Sequence, residues 1–201
     1  VEMVLSGVTN KAIVSAIANS GAKSVGISGK DGNLITAKRL NKVDDNSDSN
    51  VEKAIDLGYV GEPEKIDPQV IHALINEKMI PVIAPVGIGT DGLTYNINAD
   101  TAAGSISAAM KASRMIMLTD VAGVLDQNGK LISELTISEA QELIKNKIVV
   151  GGMIPKIKTC IDAVLGGAEA SVIMDGRIPH SLLLELFTEH GVGTIIRKGT
   201  S

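Results

Sequence analysis

Apolar positions in this chain follow two rhythms, and the switches between them mark its elements. After Thr9, "NKAIVSAIANS" carries apolar residues at helical spacing, which predicts a helix capped by Thr9 and stopped at Gly21. "KSVGIS" then alternates as a short strand. "GKDGN" reads as a tight turn leading into "LITAKRL", a predicted hairpin. "NKVDDNSDSN" has no apolar pattern and is expected to be an exposed loop. "DPQVIHALINEKM" predicts a helix with Asp67 as cap and Pro68 in its first turn. The continuous apolar run "IPVIAPV" predicts a strand buried on both faces.

The second half repeats the same grammar. A helix over "ADTAAGSISAAMKAS" leads to the strand "RMIMLTD", and a hairpin-like "GVLDQNGKLIS" follows. "TISEAQELIKNK" predicts a helix whose Thr136 and Glu139 are spaced as a capping box. "GGMIPKIKTCIDAVLGG" predicts another helix, "ASVIMDG" a strand, "PHSLLLELFTEH" a helix with its leucines in the core, and "GTIIR" a last strand. Helices alternating with buried strands imply an α/β fold with a mostly parallel sheet. A boundary near residue 113 is expected, where the second helix–strand series begins.

Composition narrows the function. The chain has 201 residues, enough for one large or two small domains. Two tyrosines and one phenylalanine are its only aromatics, so the core must be aliphatic and stacking platforms for single-stranded nucleic acid are lacking. A net charge of −4 provides no basic footprint for a phosphate backbone. One cysteine, Cys160, allows no internal disulfide and fits a reducing cytoplasm. No apolar run is long enough for a membrane-spanning helix, and the opening "VEMVLSGVTNK" does not read as a signal peptide.

Four stretches carry candidate chemistry. "GIGTDG" at 87–92 satisfies G-x-G-x-x-G, but "LTYNI" follows where a dinucleotide fingerprint needs a helix, so a hairpin is expected. In "TYNINADTAA", Asn96 and Asn98 are spaced to face the same way on an extended segment, and Asp100 stands at the helix start. Turn formation and capping by Asp100 explain them simply; a polar ledge at a strand's carboxyl end is the functional reading. "GGMIPK" at 151–156 places two glycines before a helix whose first turn holds Lys156. A cation there opposes the helix dipole unless an anion offsets it, and phosphate offsets it best. "LTDVAGV" at 118–124 ends an apolar strand with a glycine that permits close backbone approach. Arg177, His180 and Glu185 in the last block read as surface charges by default, with a patch for an anionic ligand as the alternative.

Together these stretches, with "GISGKDGNLI", "IPVIAPVGIGTDGLTYNINADTAAG", "MLTDVAGVLD" and "DGRIPHSLLLELFTEHGVGT", resemble the acetylglutamate kinase branch of the amino-acid kinase family. The resemblance runs over nearly the whole chain. It implies a three-layer αβα sandwich, with 1–112 the remainder of an acetylglutamate lobe and 113–201 a nucleotide lobe. It implies transfer of the γ-phosphoryl group of ATP, bound with Mg, to the side-chain carboxylate of N-acetyl-L-glutamate in arginine biosynthesis. Lys156 would neutralise phosphoryl charge and Asp100 would orient catalytic lysines, while Asn96 and Asn98 would bind the acceptor. Thr119, Asp120, Gly123, Val124, Ile148, Val149 and Met153 would flank the nucleotide. Glu185 and Gly191 would contact an L-arginine feedback inhibitor. A homo-oligomer with no protein-held metal, no membrane and no nucleic-acid partner is implied.

The chain departs from the family pattern in two ways. A Lys-Gly-Gly strand, a Gly-rich "HGGGP"-type loop and a substrate-binding Arg are expected before residue 1, so the chain is expected to be partial and inactive alone. Val172 stands where the arginine-sensitive branch is expected to have a histidine, and that branch's N-terminal regulatory helix is expected to be missing from this partial chain. The rivals are a non-catalytic amino-acid-binding module of the same fold and another carboxylate-directed amino-acid kinase.

Overall fold

The computed structural model describes residues 1–40, 42–43, 54–55, 58–188 and 191–199. They form two compact units, Val1–Ala102 and Ala103–Ser201. The division falls inside one helix, α3 below. Most of the loop expected over 41–50 lies outside the described residues.

The first unit opens with a π-helical segment, Met3–Thr9, that runs straight into α1 (Asn10–Asn19). Thr9 therefore has helical backbone angles and makes no side-chain cap, contrary to the expectation of a start there. β1 (Ser24–Ser28) follows, then β2 (Ile35–Arg39), the short β3 (Lys42–Val43) and β4 (Ala54–Ile55), and β5 (Val60–Ile66). α2 (Gln69–Asn76) leads to β6 (Ile80–Ala84), β7 (Val86–Gly89) and β8 (Thr94–Ile97).

Two sequence expectations fail here for one reason. β1 and β2 do not form a hairpin: β1 pairs in parallel with β6, from Ser24↔Ile80 to Ser28↔Ala84. β2 instead pairs with β5 and β7 in a closed four-stranded barrel, β2-β5-β8-β7. Likewise "IPVIAPV" is not one strand. It divides at Pro85, which sends β6 to one sheet and β7 to the barrel, and Ile80 at its start is exposed. Strand partners are chosen by non-local packing, and the barrel strands bury Ile35, Ala37, Val86, Tyr95 and Ile97. The β7–β8 hairpin replaces the discarded dinucleotide loop as expected, with Val86↔Asn96 and Ile88↔Thr94 in register.

α3 (Ala99–Ala109) carries the chain into the second unit. There β9 (Met115–Thr119), β10 (Glu134–Thr136), α4 (Ile137–Lys145), α5 (Met153–Gly166), β11 (Ala170–Asp175), α6 (Ser181–Phe187) and β12 (Thr194–Arg197) follow. The sheet order is β10-β12-β11-β9, parallel at β9–β11 and β10–β12 and antiparallel at β11–β12. α4 starts on the capping box read from the sequence: Glu139 N donates to Thr136 Oγ1 and Thr136 N donates to Glu139 Oε2 at 2.7 Å. The Thr136 N–H and hydroxyl, both donating to it, hold the Glu139 carboxyl below its ordinary pKa.

The core is aliphatic, as the scarcity of aromatics requires. α5 presents Ile157, Cys160 and Ile161 at helical spacing, in one core cluster with Ile173 of β11 and Ile196 of β12. Each such side chain contributes roughly 1.5–3 kcal/mol on full burial. The α6 leucines are a correction. Leu182, Leu183, Leu184 and Leu186 are all exposed, and Ser181 and Glu185 occupy the inward stripe at i, i+4. Among the described residues no helix is long and apolar enough to cross a membrane.

Candidate active site

In the first unit, β8 and the start of α3 position the polar trio. Asn96 lies inside β8, paired with Val86 on one side and Val60 on the other, and is half-buried. Asn98 is past the strand end and exposed, so the two asparagines do not share one strand face. The helix cap also differs from expectation. Asn98 Oδ1 accepts from Thr101 N at 3.1 Å, while Asp100 sits within the first helical turn, partly buried. Aspartate there still favours the dipole. Asn96 lines a cavity of about 240 Å³ with Glu2, Tyr59, Val86 and Thr94.

In the second unit, Lys156 is the fourth residue of α5 and half-buried. Gly151 has φ +60, a left-handed turn that aims the helix start, and Ile154 N bonds Gly151 O. With Pro155 lacking an amide and the Ile154 N–H spent on Gly151, Gly152 and Met153 supply the amides around this helix tip.

Gly123, Ile148, Val149 and Met153 come from two separate segments, yet they line a single apolar cavity of about 230 Å³ with Val121, Ala122, Leu125 and Val150. Val124 is not a wall of it. Its side chain is fully buried, and its N–H donates to Thr194 Oγ1 at 2.8 Å. Thr119 and Asp120 are also outside the walls, at the carboxyl end of β9, with Thr119 Oγ1 bonded to Asp120 Oδ1. Val121 links them to the cavity.

Beside Thr119, at the end of β11, Asp175 chelates Arg177. Both carboxylate oxygens accept from the guanidinium at 2.8–3.0 Å, Oδ1 also takes the Arg177 N–H, and Arg177 reaches back to the Asp120 carbonyl. The guanidinium lowers the Asp175 pKa from 3.8 to about 2. A folded-state value below the unfolded one means that this contact stabilises above pH 3.8 and is lost as pH falls toward 2. Carboxyl NMR is expected to show Asp175 titrating near 2 in the wild type and higher in Arg177→Gln, where only the residue 177 N–H still holds it down; an unmoved midpoint would remove the guanidinium as the cause.

Residues 1–175 match the model of the amino acid kinase family. The chain belongs to the amino acid kinase family. It is 61% identical over 197 residues to an acetylglutamate kinase of Gluconobacter oxydans, covering 98% of this chain and 67% of that protein. An acetylglutamate kinase of Parvibaculum lavamentivorans is 56% identical, with 98% and 65% covered. This amino acid kinase thus spans about two thirds of the length of the curated relatives it matches. Among solved structures it is similar to smu.665 from Streptococcus mutans, at TM-score 0.76 and 27% identity, over 99% of this chain and 71% of that one. An N-acetylglutamate synthase from Neisseria gonorrhoeae, complexed with coenzyme A and N-acetyl-glutamate, aligns at TM-score 0.79 and 27% identity over 93% and 40%.

A further cavity of this amino acid kinase, about 350 Å³, holds Glu185 and Gly191 together with Arg114, Glu134, Thr188 and Arg197. Glu185 is not the surface charge expected. It is 7% exposed, accepting from Val192 N at 2.9 Å and Gly193 N at 3.4 Å. Arg114 lies 3.8 Å from its carboxylate and donates to its carbonyl, while Arg197 pairs with Glu134. The bare Cα of Gly191 faces the same carboxylate. Sequence reading passed over Arg114 and Arg197; each flanks a strand, where a charge usually reads as a solvated end.

Proposed function

We propose that the full-length protein is an acetylglutamate kinase. A side-chain carboxylate oxygen of N-acetyl-L-glutamate attacks the γ-phosphorus of ATP, the bond to the bridging oxygen breaks, and ADP leaves with that oxygen. The product is the acyl phosphate, N-acetyl-L-glutamyl 5-phosphate. Such transfer is mostly positioning and electrostatics.

The roles follow the chemistry of each residue. Asn96 and Asn98 hold the acceptor, Lys156 neutralises charge that builds on the phosphoryl oxygens, and Asp100 serves as the positioning carboxylate. The apolar cavity of Gly123, Ile148, Val149 and Met153 accepts the adenine, with Thr119 and Asp120 beside its approach and Val124 packed beneath the turn that carries Gly123. Mg arrives with ATP as part of the substrate. Residues 1–112 form the rest of the acceptor lobe and 113–201 the nucleotide lobe. The observation that carries the reading is that four of the seven residues assigned to the nucleotide line one cavity, in a chain 61% identical to a named acetylglutamate kinase.

Glu185 and Gly191 further suit L-arginine. A buried carboxylate is matched by a guanidinium, and the cavity's own arginines suit the ligand's carboxylate. The test is a coupled ADP-release assay on the full-length protein, titrated with arginine. Turnover that requires N-acetylglutamate and falls as arginine rises is expected. ATP consumption indifferent to N-acetylglutamate would refute the kinase reading, and turnover insensitive to millimolar arginine would refute the effector site alone.

A further inference from the structure

Lys30 lies in the "GKDGN" segment, whose hairpin role the fold removed. That segment is nonetheless tightly built. Asp31 Oδ2 accepts from Ser28 N at 2.7 Å and from Ser28 Oγ at 2.9 Å, and Lys30 N donates to Ser28 Oγ at 3.3 Å. Gly29 N bonds Ala84 O, and Ile35 N bonds Gly29 O. The backbone beneath Lys30 is thereby tied to the carboxyl ends of both β1 and β6. Carboxyl ends of parallel strands are where open α/β sheets receive ligands.

The side chain is held as firmly. Its Nζ donates to Thr94 Oγ1 at 2.9 Å and to Glu2 Oε1 at 3.0 Å, leaving the side chain 31% exposed. Thr94 and Asn96 are two apart on β8 and share a face. Glu2, Thr94 and Asn96 all line the same 240 Å³ cavity, so both anchors of Lys30 are walls of the pocket that contains Asn96.

We propose that Lys30 supplies positive charge to this pocket and binds a carboxylate of the acceptor, a proposal that rests on the acetylglutamate reading of Asn96. An ammonium has three N–H donors; Thr94 and Glu2 take two, and the third is available to a ligand oxygen. An amine pinned at both backbone and tip loses little further freedom on binding. The wall carboxylate of Glu2 would repel a dicarboxylate unless a cation neutralised it, and Lys30 does so at contact distance. A surface ion pair alone would require neither the Thr94 hydroxyl nor the fixed turn.

The test is calorimetry with N-acetyl-L-glutamate and, separately, a non-hydrolysable ATP analogue, on the full-length wild type and on Lys30→Met and Lys30→Gln. N-acetylglutamate is expected to bind roughly 10- to 100-fold more weakly to both variants, the loss of one charge-assisted hydrogen bond. Affinity for the ATP analogue and Tm should hold. Variants that bind N-acetylglutamate within twofold of wild type overturn the proposal, as does an equal loss of ATP-analogue affinity, which would make Lys30 a scaffold residue. A wild type that binds no N-acetylglutamate instead overturns the functional reading beneath it. Thr94→Val should weaken the acceptor by a smaller factor, since it frees the amine without removing its charge.

Discussion

Replacing Lys156 by alanine in the full-length protein is expected to lower kcat by roughly 10²–10³, with a much smaller change in the KM for N-acetylglutamate. Lys156 is the fourth residue of α5, at the end of the helix where the dipole is positive. A lysine is unfavourable there by a few tenths to about 1 kcal/mol unless an anion is nearby. It is also half-buried behind a glycine pair whose first member has φ +60, so its backbone is aimed rather than loose. A cation at this helix tip suits the charge that builds on a transferring phosphoryl group. Stability provides the control. If Lys156 acts on the transition state, the alanine variant should retain Tm within a few degrees while losing turnover. A kcat within threefold of wild type would exclude Lys156 from catalysis, and a collapse in Tm alongside lost turnover would reassign it to the scaffold.

The largest effect on folding is expected at Gly123. It has φ +146, and a Cβ built there would stand 2.6 Å from Thr194 Oγ1, 2.7 Å from Leu131 Cδ1 and 3.1 Å from Thr194 N. Thr194 cannot give way cheaply. It is fully buried, its hydroxyl accepting from Val124 N at 2.8 Å and donating to Ile132 O at 2.6 Å. Displacing it would leave the buried Val124 N–H and the partly buried Ile132 carbonyl unpaired, at about 1–3 kcal/mol for a buried group. Backbone strain adds about 1–3 kcal/mol. Gly123→Val is therefore expected to lose roughly 3–6 kcal/mol, a drop in Tm on the order of 10 °C or more for a chain of this size. Gly129→Ala is the comparison: its φ is +76 and nothing lies within 4 Å of the added Cβ, so only the strain remains. Denaturant unfolding of both variants decides it; equal losses would show that packing against Thr194 is not what requires glycine at 123.

Legibility in the sequence tracked the range of the interaction involved. The capping box of α4 was readable because its two partners are three residues apart and need nothing else. The β7–β8 hairpin was readable for the same reason, and it removed a false dinucleotide motif. The cap at Asn98 was misread as Asp100 because both are good caps two positions apart, and only the register of β8 chooses between them. The α6 leucines were misread because a leucine-rich helix normally turns that face inward. Here Glu185 is paid for by two loop amides, and the helix rotates to bring it in.

What the residues alone determined about this amino acid kinase is the set of elements, the aliphatic character of the core and the short motifs that mark a phosphoryl-transfer chain. Those depend on periodicity, capping and turn preference, all of which act within a few residues. Tertiary structure alone decided that β1 joins β6 while β2 closes a barrel, that Gly123, Ile148 and Met153 meet around one cavity, and that Lys30 reaches across to Thr94. Each of those joins residues far apart along the chain. Such contacts form only when burial elsewhere has offset the entropy of closing the intervening loops, and no local pattern records that balance.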